Sequence, residues 1–136
     1  MVAVVIAAIY AADVFLGSNK QMEGVARGLG ALGRMKNKAI EIKCRSNLKS
    51  IAWATLDWAL DADKNVTDKV SLDDIQDALG PIRPCGAEGK YILTTVQEAP
   101  TCSAGHSLEK DSIDSYYDED MLNSIRENYQ RAQEKK

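Results

Sequence analysis

Apolar and polar positions follow different rhythms in successive parts of the chain. The first sixteen residues, MVAVVIAAIYAADVFL, are apolar except for Asp13. As a helix they span ~24 Å, somewhat less than a bilayer core of ~30 Å. From Ile40 onward the apolar residues recur at steps of three and four, through Cys44, Leu48, Ile51, Thr55 and Trp58 or Ala59. Leu48, Ala52, Leu56 and Leu60 form an adjacent stripe. Such spacing predicts a helix with a face to bury. No proline precedes Pro81, so nothing forbids one helix from the N-terminus to about Asp61. Gly24, Gly28, Gly30 and Gly33 weaken its middle, although Gly24-x-x-x-Gly28 would also let two helix backbones approach closely.

Beyond this stem the rhythm breaks into short pieces. DADKNVTDKV reads as a polar loop. Ser71 and Asp74 form a weak capping box that opens a helix over SLDDIQDALG, stopped by Gly80 and Pro81. Residues 91–96, YILTTV, favour a strand, and Gln97–Pro100 turns it back toward Thr101 and Cys102. From about Asp118 the tail predicts an amphipathic helix with Met121, Leu122, Ile125 and Tyr129 on one face. The expected organisation is an apolar segment (1–18), a helical stem (19–62), a small α+β head (63–106) and an acidic helical tail (107–136).

Charge sharpens this division. The net charge of −3 conceals eight Lys/Arg against Glu23 and Glu41 in residues 19–50, and nine Lys/Arg against seventeen Asp/Glu afterwards. A basic block beside an apolar segment favours a membrane neighbourhood. No basic–aromatic interleaving suggests stacked bases, so no nucleic-acid partner is expected. The opening segment shows no basic region ahead of it and no A-x-A cleavage site. It reads either as an anchor or as a mature chain whose leader has gone. Asp13 is costly in an apolar setting unless it is paired or protonated.

The candidate chemistry lies in PCGAEGKYILTTVQEAPTCSAGH, where Cys85 and Cys102 bracket the predicted hairpin and His106 follows. For zinc these are three ligands with no C-x-x-C pair, and Cys44 could be a fourth only if the stem packed over the hairpin. A disulfide between Cys85 and Cys102 is favoured, contributing roughly 3 kcal/mol to a head with a modest core. It would require an oxidising compartment. Cys44 then reads as a buried free thiol, and His106 as a loop or packing residue. Asn65-Val66-Thr67 matches a glycosylation sequon, a pattern frequent by chance. The acids Asp111, Asp114, Asp118, Glu119 and Asp120 lack EF-hand spacing and read as a solvated face. No catalytic arrangement is visible, and no cofactor or metal is expected.

Three segments carry a family resemblance. CRSNLKSI (44–51) resembles the C-x-N-N-L-(R/K)-x-I signature on the long helix of bacterial type IV pilin-like proteins and pseudopilins. SLDDIQDALG is similar to their (T/S)-x-D-(D/E)-(I/L) element, and residues 84–106 to their cysteine-bracketed hairpin ending in Gly-His. The order matches over roughly residues 40–106. Family members usually begin with Phe and carry Glu at the fifth position, where this chain has Met1 and Val5. The resemblance implies a lollipop: a long N-terminal helix and a small α+β head with a short helix and a disulfide-closed β-hairpin, followed here by the helical tail. It also implies a homopolymer, a helical filament with the apolar helices bundled inside. Met1, Val2, Val5, Asp13, Gly24 and Gly28 would then line the filament core, with Asp13 meeting the Met1 ammonium of a neighbouring copy. Such a subunit waits in the inner membrane, is handled by pilus or secretion machinery, and ends in a surface filament. The competing expectation is a single-pass anchored protein whose head binds a partner and never polymerises.

Overall fold

The computed structural model describes the backbone of residues 2–135 and the side chains of residues 30–135. The chain divides into two compact units, Met1–Ala39 and Ile40–Lys136. Helix α1 (Val2–Asp61) supplies the first unit and opens the second. In the first unit, Leu32 and Met35 are exposed. Met1, Val2, Val5, Asp13, Gly24 and Gly28, named above as filament-core residues, lie outside the residues whose side chains are described. Among the described residues, no helix is long and apolar enough to cross a membrane.

The second unit wraps the last turns of α1 on several sides. Three small cores share that helix. Cys44, Leu48 and Ala52 pack with Cys85, Cys102 and Leu108. Ile51 and Ala54 pack with Val70 and Ile75, beside α2 (Gln76–Leu79). Leu56 and Ala59 pack with Val66, Val96 and Ile125, the last from α4 (Glu119–Glu134). Burying side chains such as Leu48, Ile51, Leu56 and Ile125 stabilises by ~1.5–3 kcal/mol each. The Asp118 side chain caps α4 by accepting the Met121 N–H at 2.7 Å. At the far end of the interface, Asn128 Nδ2 donates to the Leu60 carbonyl at 2.8 Å, satisfying a group that the end of α1 leaves open.

The expected lollipop with a disulfide-closed hairpin is corrected. The described fold is α-rich, and its sheet is one antiparallel pair of two-residue strands, β1 (Tyr91–Ile92) and β2 (Thr101–Cys102). The strand foreseen over 91–96 stops at Ile92 because the next residues pair elsewhere. Val70 N–H donates to Thr94 O, Val96 N–H to Asp68 O, and Gln97 N–H to Val66 O. Nor is the hairpin closed by sulfur: Cys44, Cys85 and Cys102 are all free thiols. The Ser71–Asp74 capping contacts form, with Ser71 Oγ donating to Asp74 Oδ2 at 2.6 Å, yet regular helix is confined to Gln76–Leu79. The expected helical tail (107–136) comprises two helices, a short α3 (Lys110–Tyr116) ahead of α4.

Candidate functional site

Four potential donors meet where α1 passes the hairpin. The Sγ atoms of Cys44, Cys85 and Cys102 and a ring nitrogen of His106 all lie within 4.8 Å of one another. The three cysteines are buried and His106 is half-buried. Residues of this chemistry assemble here because three local structures aim them at one point.

Cys44 lies on the buried stripe of α1, one helical turn before Leu48. Cys85 opens a turn in which Glu88 N–H returns to Cys85 O at 3.0 Å. Cys102 opens a second such turn, with Gly105 N–H on Cys102 O at 2.9 Å and Gly105 in the left-handed region at φ 84°. His106 follows directly, and its carbonyl accepts the Cys102 N–H at 2.9 Å. The tight return of 102–106 brings the ring back, so that His106 Nδ1 lies 3.4 Å from Cys85 Sγ.

Two residues not singled out by the sequence hold these segments in register. Asn47, three residues after Cys44, donates through Nδ2 to Tyr91 Oη at 2.6 Å and to Arg83 O at 3.0 Å. Tyr91 pairs with Cys102 across the hairpin, and Arg83 lies two residues before Cys85. One amide therefore links the helix that carries Cys44 to both hairpin cysteines. The signals were present in CRSN and in GKY, but their meaning depends on tertiary contact. Gly86 and Gly89 permit the close approach: a Cβ on Gly86 would lie 3.3 Å from Ile40 Cγ1. Beside the cluster, Arg45 pairs with Glu41 at 2.7 Å and with Glu109 at 2.6 Å.

The thiols are electrostatically unequal. Burial pushes Cys44 up to about 12, and its donation toward Cys85 and Cys102 adds to the shift. Burial also acts to raise Cys85, but the Ala87 N–H and hydrogen bonds from Cys44, Cys102 and His106 outweigh it and bring that thiol down to about 7. Cys85 therefore loses its proton well before Cys44.

The disulfide foreseen between Cys85 and Cys102 is thus replaced by a set of three thiols and one imidazole. Cys44 is a buried free thiol, as expected, but it lies beside Cys85 and Cys102, and His106 is a loop residue whose ring packs against Cys85. The condition on which Cys44 could be a fourth donor is met, because the stem packs over the hairpin. Three soft sulfur donors with an imidazole form a set that a soft or borderline metal ion could use. No family model, curated protein or solved structure matches the chain.

Proposed function

We propose that the chain is a structural subunit, a pilin or pseudopilin that polymerises into a helical type IV pilus-like filament. One observation carries this reading. Cys44 and Asn47 belong to one motif and Cys85, Tyr91, Cys102 and His106 to a second one distant in sequence, and all contribute to one part-buried arrangement. A chance resemblance gives no reason for those particular residues to converge. The exposed apolar residues Leu32, Met35 and Ile42 on α1 also suit a helix that packs against further chains. Electron microscopy and mass spectrometry of shed surface material test the proposal. Filaments containing this chain are expected, and recovery solely as detergent-soluble monomer would overturn it.

A second reading, an anchored head that binds a partner without polymerising, is favoured by a groove of about 620 Å³. Leu72, Leu79, Pro81, Ile82 and Tyr91 contribute to its mainly apolar lining. The same microscopy separates the two.

A further inference from the structure

We propose that Cys44, Cys85, Cys102 and His106 bind one zinc(II) ion in a closed tetrahedral site that staples α1 to the hairpin. The inference stands on the cluster alone and is independent of the filament reading.

Geometry comes first. Zinc–sulfur and zinc–nitrogen bonds of ~2.3 and ~2.0 Å put the S···N edge of a regular tetrahedron near ~3.6 Å and the S···S edge near ~3.8 Å. The Cys85 Sγ to His106 Nδ1 distance is 3.4 Å, and no pair in the set exceeds 4.8 Å. Small side-chain rotations would close the four donors onto one ion. His106 would bind through Nδ1.

The donor count agrees. Three thiols cannot all be satisfied by one disulfide, because any pairing leaves the third buried beside it. A single ion takes all three together with the imidazole. Thiolate and imidazole ligands select against calcium and magnesium, and a tetrahedral sulfur–nitrogen set suits redox-inert zinc. Each thiol that binds releases its proton to solvent, so binding yields up to three protons and a centre of net charge −1. Four protein ligands leave no position open for a substrate, which makes the site structural. A head whose sheet has two-residue strands gains a cross-link that its small cores do not otherwise supply.

The test is an anaerobic titration of the full-length, reduced, metal-free chain with cobalt(II), followed by zinc. One equivalent of cobalt should produce thiolate-to-cobalt charge-transfer absorption with the intense d–d bands of a tetrahedral site, and one equivalent of zinc should abolish both. Cys44→Ser and His106→Gln should each weaken zinc binding by more than ~100-fold, beyond the loss usual for a supporting residue. His106→Cys should keep the tetrahedral bands and gain charge-transfer intensity from a fourth thiolate. This variant and the parent decide the matter even if the others fail to fold. No charge-transfer band in the parent, octahedral-type bands, or unchanged intensity in His106→Cys would each overturn the assignment.

Discussion

Gly89 lies so close to Cys102 that a Cβ at position 89 would stand 2.5 Å from the Cys102 Sγ. It would also meet Ala104 Cβ at 2.7 Å and Ala104 N at 3.0 Å, and the last is backbone that cannot rotate away. Gly89→Ala should therefore destabilise the head by ~1–3 kcal/mol through overpacking. Gly33→Ala is the control, since its Cβ would meet nothing within 4 Å and α1 gains helix propensity. Urea unfolding of both variants checks the contrast. A Gly89→Ala midpoint equal to the parent's would refute the close approach.

Asn47 and Tyr91 act as a unit, because Tyr91 Oη accepts from Asn47 while donating to Arg83 O at 3.3 Å. Asn47→Ala should cost about 1–3 kcal/mol by leaving the part-buried Tyr91 hydroxyl short of a donor. Tyr91→Phe should cost less, about 0.5–1.5 kcal/mol, since Asn47 can still reach Arg83 O. A double-mutant cycle should return a coupling of ~0.5 kcal/mol or more. Strict additivity would mean that the two side chains do not share the contact.

Three buried hydroxyls, Thr55 Oγ1, Thr95 Oγ1 and Tyr117 Oη, have no hydrogen-bond partner among the described residues. Burial pushes the Tyr117 phenol well above its ordinary range. Thr55→Val and Tyr117→Phe remove an unpaired polar group and keep the shape, so each should raise stability by up to ~1 kcal/mol. Thermal melting resolves a shift of that size; a clear fall in Tm for both variants would show that the hydroxyls are satisfied.

The Ser71 hydroxyl and backbone N–H hold the Asp74 carboxyl below its ordinary value. A depressed folded value contributes stability that is present above the unfolded value of ~4 and is lost as pH falls through the folded one. Ser71→Ala should thus lower stability at neutral pH, and the gap to the parent should narrow in acid below pH ~4. Because Asp74 is exposed the effect is small, and it is best read as the difference between parallel pH titrations of Tm. A gap of constant size across that range would contradict the linkage.

What the sequence made legible was local. The three-and-four spacing from Ile40 to Ala59 marks side chains that α1 buries, because helical periodicity needs no knowledge of the partner. The stripe of Met121, Leu122 and Ile125 in α4 is visible for the same reason. The site was illegible for the opposite reason. Cys85 and Cys102 invite pairing because they flank one hairpin, whereas Cys44 joins them only through packing between elements distant in sequence. The strand over 91–96 was overextended because β propensity cannot reveal that Thr94 and Val96 hydrogen-bond to the 68–70 segment.

The placement of the four donors also orders events in time. Cys44 sits in a helix held by local contacts, whereas Cys85 and His106 are 21 residues apart in the hairpin segment that packs on that helix. Local structure forms before distant loops close. Synthesis from the N-terminus presents the parts in that order too: α1, then the hairpin, then the segment whose Asn128 donates to the Leu60 carbonyl. Chain order and packing order thus run the same way in the head: the hairpin lies on α1, and α4 closes the end of α1.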